Sequence, residues 1–411
     1  MQVVYTHCAG LDVHKKTVVA CVITPKESGQ WQKQIRTFGT MTKDLLNLSD
    51  WLTSHNCSHV AMESTGEYWR PVFNILEGNF EVMLVNARHI KAVPGRKTDI
   101  KDSQWIAELL QHGLLRPSFI PPVEQRDLRD LTRHRSNFIR ERVNLVNRVQ
   151  KVLEAANIKL ASVASDVMGV SGRAMLAAIV EGNSTPELMA GLAKGTMSKK
   201  HDLLVPALEG RVRPHQKFIL AQLLAQIDSI DSSIALFDQQ IEEYCHPFDQ
   251  AVELVDTIPG IARRTAEIIV SEIGTDMSRF PSAEHLAAWA GVAPGNYESG
   301  GKKLSDSTRK GNRVLRTILV QAAHALARTK TYLAAQFRRL SARRGKKRAA
   351  VAVAHSILVI AYHLISRQEP YKDLGADYFD KQRPESVKKR LIKRLEKLGY
   401  QVTAQSVEVT V

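Results

Sequence analysis

Four acidic residues stand where acidic side chains need a reason. Asp12 interrupts the apolar run Gly10-Leu11-Asp12-Val13, and Glu63 ends another, Val60-Ala61-Met62-Glu63. Carboxylates are poor strand formers. Asp99 and Asp102 in KTDIKDS are three residues apart, a spacing that places both on one face where a helix begins. Gathered without cations, four such groups repel. They suit Mg²⁺, which takes hard oxygen ligands. A pair of such ions activates one phosphodiester oxygen and stabilises the other as it leaves. Each residue alone also reads as a helix cap or a strand end. Their shared position at element ends, beside the basic string Arg88, Lys91, Arg96, Lys97 and Lys101, favours the joint role.

The elements that must position them alternate between strand and helix. Residues 9–13 and 17–23 are strand-like runs joined by His14-Lys15-Lys16, and WQKQIRTF is a third. A helix over 43–54 follows, with Leu45, Leu48 and Leu52 along one side. Residues 59–64 and 81–86 are short apolar runs suited to buried strands, with a helix-length segment between them. Three strands, helix, strand, helix, strand, helix predicts a mixed sheet covered by helices. The first strand and its helix-connected neighbour then lie side by side, and the last helix brings Asp99 and Asp102 to the same strand ends.

Downstream the pattern turns helical and basic. RDLRDLTRHRSNFIRERVNLVNRVQKVL fills residues 126–153, and residues 161–215 carry Gly, Ser and Pro with weaker periodicity. Ile227, Ile230, Ile234, Phe237, Ile241 and Tyr244 then repeat at alternating spacings of three and four, a heptad seam. It packs on a neighbouring helix of the same chain or forms a coiled-coil dimer arm. We divide the chain into residues 1–124, a linker region 125–249, a second helical unit 250–366 and a basic tail 367–411. The tail predicts an amphipathic helix with Val387, Leu391, Leu395 and Leu398 on one face.

A second set of candidate residues lies in the 250–366 unit. LVDTIPGIARRTAEIIVSEIG reads as a helix–hairpin–helix nucleic-acid contact. Gly260 supplies the turn, and Arg263 and Arg264 add charge to a helix start that can hold a phosphate. A plain turn between packed helices is the other reading. Farther on, Ser299-Gly300-Gly301-Lys302 reads as a flexible basic loop between helices. Its glycines admit close approach of a ligand, and Lys302, Lys303, Arg309, Lys310, Arg313 and Arg316 supply phosphate contacts. A serine there is a possible nucleophile, although serine-glycine loops are more often turns.

The chain has 411 residues, with 57 Lys plus Arg against 42 Asp plus Glu, a net charge of +15 that favours a polyanionic partner. Cys8, Cys21, Cys57 and Cys245 are far apart, which removes zinc fingers, iron–sulfur clusters and a disulfide framework and points to a reducing cytosol. The N-terminus lacks the order of a signal peptide. The most apolar run, residues 349–365, holds His355, Ser356 and His363 and reads as a buried helix rather than a membrane span. P-loop, G-x-S-x-G and H-E-x-x-H motifs are absent.

The motifs GLDVHKK, AMESTGEYWRP, NARHIKAVPGRKTDIKDSQWIAELL, IPGI, AGVAPGNYESGGK and RKGNRVLR, in that order, resemble the DEDD-type insertion-sequence transposases. That family includes the Piv DNA invertases and the bridge-RNA-guided recombinases. The resemblance covers about residues 5–115 and 250–345 of the sequence. It implies a RuvC-like, ribonuclease-H-type N-terminal domain with Mg²⁺ ligands at Asp12, Glu63, Asp99 and Asp102. It also implies a coiled-coil arm and a C-terminal transposase domain whose catalytic serine falls on Ser299. In related enzymes that serine forms a covalent phosphoserine link to DNA, and composite sites join the acidic domain of one protomer to the serine of another in a dimer or tetramer. A bridge or guide RNA is a further implied partner. Ser305, Ser307 and Thr308 lie nearby, so Ser299 rests on the SGGK context.

The resemblance implies an enzyme that cuts and rejoins the DNA of its own insertion element. A RuvC-like nuclease that hydrolyses DNA junctions is the alternative within enzymes. A sugar-kinase or actin-like ATPase also begins with an Asp-bearing strand and hairpin, but His14-Lys15-Lys16 replaces its Gly-rich phosphate turn. An architectural nucleic-acid-binding protein leaves the four acidic positions unexplained.

Overall fold

A computed structural model describes residues 2–403, apart from residues 65, 88–89, 91–101, 183, 296, 301, 306 and 383; for residues 297–299 and 302–305 it describes the backbone. The chain forms two compact units, Met1–Pro121 and Pro122–Val411.

In the first unit the expected alternation of strands and helices is observed. β1 (Cys8–Val13), β2 (Thr17–Pro25) and β3 (Trp31–Gly39) form an antiparallel meander. α1 (Thr42–Ser54) leads to β4 (His59–Glu63), α2 (Trp69–Leu76) to β5 (Glu81–Val85), and α3 (Asp102–Gln111) follows. β4 returns parallel to β1, and β5 lies parallel to β4, so the sheet order is β3-β2-β1-β4-β5. The central strands are apolar on both faces, as parallel strands between helices must be. Ala9, Leu11 and Val13 meet Leu45, Leu48 and Leu52 of α1 and Val72, Phe73 and Leu76 of α2. On the other face, Cys8, Cys21 and Ala61 meet Ile106, Ala107 and Leu110 of α3.

The four cysteines are free and buried. Burial pushes the thiols of Cys8, Cys57 and Cys245 up to about 12 and that of Cys21 to about 11. They are packing groups, not nucleophiles.

The second unit is helical. α4 (Val123–Ala155), α5 (Val170–Glu181) and α6 (Pro214–Cys245) are followed by α7 (Asp249–Asp256), α8 (Arg263–Ile273) and α9 (Ala283–Ala290). A two-stranded hairpin, β6 (Tyr297–Ser299) and β7 (Lys302–Ser305), precedes α10 (Arg313–Leu326), α11 (Tyr332–Arg344), α12 (Lys346–Arg367) and α13 (Pro384–Glu396).

α4 and α6 run antiparallel. Arg135 pairs with Asp238 at 2.6 Å and Arg142 with Asp231 at 2.5 Å, so an advance of one heptad on α4 is a retreat of one heptad on α6. The predicted seam faces α4 within the same chain from Ile227 to Phe237, whereas its last member, Tyr244, is exposed. Ile227 and Ile230 join a distal core with Leu145, Val149 and Leu153 of α4. Phe237 meets Phe138, and Ile241 enters a proximal core built mainly from α7 to α12. Between the two cores the pair leaves Ile139, Val143 and Leu236 exposed.

α12 carries the most apolar run of the chain and is long enough to cross a membrane, as is the stretch Pro214–Asp256. Val353, Ile357, Leu358 and Ala361 of α12 are fully buried in the proximal core, as the sequence predicts. α13 has no buried residue and exposes Leu391 and Leu395.

Candidate active site

The sheet register brings two of the predicted carboxylates side by side. β1 and β4 pair in parallel from Cys8↔His59 to Leu11↔Met62, so the next positions, Asp12 and Glu63, occupy adjacent strand ends. Side chains alternate along a strand. Asp12 therefore shares the face of Cys8 and Gly10, and Glu63 the face of Ala61, both covered by α3. α3 lies directly on β1 at Gly10, where a Cβ would stand 2.3 Å from the Ser103 carbonyl oxygen and the Ala107 nitrogen. Asp102, the first residue of α3, is thereby held at the same end of the sheet. Asp12 keeps 24% of its side chain exposed, and its Oδ2 is 3.1 Å from Nε2 of His14.

Asp99, Arg96, Lys97 and Lys101 lie outside the described residues. Among the described residues no three His, Cys, Asp or Glu side chains are close enough to share one ion. The donor chemistry at these strand ends, carboxylate oxygen, fits a hard divalent cation.

The Ser299 segment, predicted as a flexible loop, is instead the β6–β7 hairpin. Ser299 pairs with Lys302 and Glu298 with Lys303, with an irregularity between Tyr297 and Glu298. Gly300 takes φ +57° in the turn, a region that favours glycine. The base of the hairpin is closed by backbone. Pro294 bridges Thr308, and the Gly295 N–H donates to the Ser307 carbonyl at 3.1 Å. Gly291 ends α9 in the left-handed conformation at φ 74°. A Cβ on Gly311 would stand 2.3 Å from the Gly291 nitrogen, so the two legs touch where neither tolerates a side chain. This accounts for the glycines of the AGVAPG and RKGN motifs.

Glu272, with 0% exposure, anchors the returning leg. Asn312 Nδ2 donates to its Oε2 at 2.6 Å, while Asn312 Oδ1 caps α10 by accepting the N–H groups of Val314 and Leu315, both at 3.1 Å. Arg133 of α4 grips the same carboxylate with two bonds, 2.7 and 2.9 Å. Arg129 donates to the Ser271 and Glu272 carbonyls at 3.1 and 2.7 Å.

Two family models match the chain: one of DEDD-type IS110 transposases over residues 9–158, and one described as transposase, IS116/IS110/IS902 family, over residues 252–338. The chain belongs to this transposase family. It is 25% identical over 371 residues to the transposase for insertion sequence element IS1111A of Coxiella burnetii, covering 88% of this chain and 90% of that protein. The pilin gene-inverting protein of Moraxella lacunata is 24% identical over 386 residues, covering 88% and 96%. A probable family 20 transposase of Pseudomonas aeruginosa is 26% identical over 321 residues, covering 76% and 85%. The chain is accordingly a DNA transposase or recombinase.

The IPGI turn of this transposase is built for packing. Gly260 takes φ +84°, and a Cβ there would meet Leu326 Cβ at 2.7 Å and the Ala322 carbonyl at 3.0 Å, so its open side faces α10. Arg263 pairs with Asp249 at 2.7 Å, a contact that raises its pKa. Arg264 bonds the buried Glu267 at 3.0 Å and Asp238 at 3.1 Å. Their charges are largely answered within the protein.

Three adjoining clefts of about 440, 530 and 600 Å³ run beside α10, and Arg313 borders all three. Arg133, Arg140, Lys310, Arg316 and Lys347 also line them, and among the described residues no carboxylate does. Lys310 and Arg313 were expected here from the sequence, and Arg309 is exposed alongside them. Sequence reading missed Arg140, Glu272 and Asn312. The signal for Glu272 was present: an acid among the apolar residues Ile268, Ile269, Val270 and Ile273 of α8.

Proposed function

We propose that this transposase cuts and rejoins DNA of its insertion element through a covalent bond to Ser299, with Asp12, Glu63, Asp99 and Asp102 as Mg²⁺ ligands. The observation that carries the reading is the register of β1 and β4, which sets Asp12 beside Glu63 under the helix that begins at Asp102. The β3-β2-β1-β4-β5 order, an antiparallel meander continued by helix-linked parallel strands, supports a RuvC-like, ribonuclease-H-type unit. A bound divalent cation would draw charge from the phosphate oxygens during exchange.

In the proposed reaction the Ser299 hydroxyl gives up its proton and Oγ bonds to phosphorus. The bond from phosphorus to the leaving deoxyribose oxygen breaks, and that oxygen takes a proton. A free strand hydroxyl later attacks the same phosphorus and releases the serine. The number of phosphoester bonds is unchanged, so strand exchange needs no ATP. The arginine-lined clefts beside α10 supply the phosphate contacts, with Lys302, Lys303, Arg309, Lys310 and Arg313 nearest the hairpin in sequence. Gene inversion, for which the Moraxella lacunata relative is named, calls for rejoining as well as cutting. Guidance by an element-encoded RNA and composite sites between protomers belong to the same proposal. The +15 charge is compatible with either nucleic acid.

A denaturing gel tests the reading. Full-length protein is incubated with Mg²⁺, labelled element-end and target DNA, and transcript from the element's flanks, beside Ser299→Ala, Ser305→Ala and Asp12→Ala. The expected result is a slow, protease-sensitive DNA adduct that Ser305→Ala keeps and the other two lose. Cleavage without an adduct, indifferent to Ser299→Ala and abolished by Asp12→Ala, would instead establish a hydrolytic nuclease.

A further inference from the structure

We infer that Glu272 is the positioning residue of the β6–β7 hairpin, acting through Asn312; the inference rests on the reading of Ser299 as nucleophile and deepens it. The path between them is short. Glu272 holds Asn312 by its amide, and Asn312 fixes the first turn of α10 with its other end. The residue before it, Gly311, touches Gly291 backbone to backbone. Beyond that contact come the Pro294–Thr308 bridge, the Gly295–Ser307 hydrogen bond and the paired strands that end at Ser299. Among the described residues every link after Asn312 is main chain, so a shift at Glu272 passes on without a side-chain joint.

The chemistry of the anchor argues for placement rather than bulk stability. A buried carboxylate with ionic partners is often no more stabilising than an apolar group of its size, whereas its hydrogen bonds demand one geometry. Glu272 satisfies both oxygens at once, with Arg133 on Oε1 and Oε2 and Asn312 on Oε2. α4 is bolted to the same turn, since Gln125 and Arg129 also donate to the Ser271 carbonyl at 3.0 and 3.1 Å. Three elements, α4, α8 and the hairpin's returning leg, therefore meet at one carboxylate. Glu267, on the same helix and 1% exposed, is an internal comparison. It pairs with Arg263 and Arg264, and neither partner belongs to the hairpin or its base.

The test uses full-length protein and two readouts, of which one is independent of chemistry. Limited trypsin digestion reports hairpin order through the cleavage rate at Lys302 and Lys303. The DNA-adduct assay reports phosphoryl transfer, and fluorescence anisotropy with the same DNA reports binding. Loss of a hydrogen-bonded charge predicts that Glu272→Gln speeds cleavage at Lys302–Lys303 about tenfold and slows adduct formation about tenfold, with DNA affinity within about twofold. Asn312→Ala, which leaves the Arg133–Glu272 pair intact, is expected to do the same. The double variant E272Q/N312D exchanges amide and carboxylate across one contact and keeps an acceptor to cap α10. It gives up the Arg133 bond to Oε2 but restores the contact between residues 272 and 312, and is expected to recover part of both rates, a rescue that general loss of stability would not give.

Unchanged trypsin and adduct rates in Glu272→Gln would overturn the inference, as would equal loosening of the hairpin by Glu267→Gln. Should Ser299→Ala still form the adduct, the serine reading fails, and the trypsin arm alone then decides for or against Glu272.

Discussion

In the sheet unit, Asp12 and Glu63 are located by the main chain: the ladder from Cys8↔His59 to Leu11↔Met62 sets which strand ends coincide. In the helical unit, the hairpin stands outside any larger sheet and is located by side chains, Glu272, Asn312 and Arg133, together with two touching glycines. A ladder distributes its constraint over many bonds, so no single side chain on it is indispensable to placement. A buried carboxylate concentrates the constraint, so its neighbours become sensitive points. The lesson is that removing a carboxylate should separate chemistry from architecture in the first unit, whereas removing an anchor side chain in the second should disturb both.

The largest expected effect is at Asp12. Asp12→Ala should abolish strand cleavage, by about 10⁴-fold in single-turnover assays, as for the loss of one member of a cooperating set. Its thermal unfolding curve should overlay the wild type. A large fall in stability would break the contrast drawn above.

Next come the paired glycine substitutions. Gly10→Ala and Gly311→Ala each place a methyl 2.3 Å from backbone atoms, and each should cost about 1–3 kcal/mol in urea unfolding. The contrast predicts different secondary effects. Gly311→Ala should expose Lys302–Lys303 to trypsin, whereas Gly10→Ala, which displaces the α3 start at Asp102, should slow cleavage and leave the hairpin as resistant as before.

Arg313→Ala should leave both scaffolds intact and weaken DNA binding. The slope of log affinity against log salt should fall by about 1, the value for one lost phosphate contact; an unchanged slope would remove Arg313 from the binding surface. The smallest effect is expected at Arg142→Ala on the arm. Its ion pair with Asp231 is a third to nearly half exposed, so its loss should change unfolding free energy by no more than about 1 kcal/mol.

The first unit was largely legible in sequence because apolar runs at period two, broken by misplaced acids at Asp12 and Glu63, report strand ends directly. The strand order and the α1 and α2 cover followed from alternation. What escaped was tertiary. ESGGKKLS contains polar and charged residues throughout, which reads as a loop, yet its ends are forced together by the Gly291–Gly311 contact and so it pairs with itself. The IPGI turn resembled a phosphate contact because Arg263 and Arg264 follow it. Glu267 stands at helical spacing from both arginines and could have been read as their partner, but Asp249 and Asp238 lie 14 and 26 residues away, where no local pattern announces them. The heptad seam correctly marked a long helix pair, and periodicity alone is silent on which chain supplies the partner.

The antiparallel arm makes the distal core a detachable excursion. The chain leaves the proximal core along α4 and comes home along α6, with the whole of residues 145–227 hung between. At about 1.5 Å per residue, a heptad inserted in both helices together would carry the distal core about 10 Å farther out and repeat the Arg135–Asp238 and Arg142–Asp231 spacing unchanged. Reach is thus a modular quantity in this architecture: evolution can lengthen or shorten the span in whole heptads without touching the residues that make and break bonds.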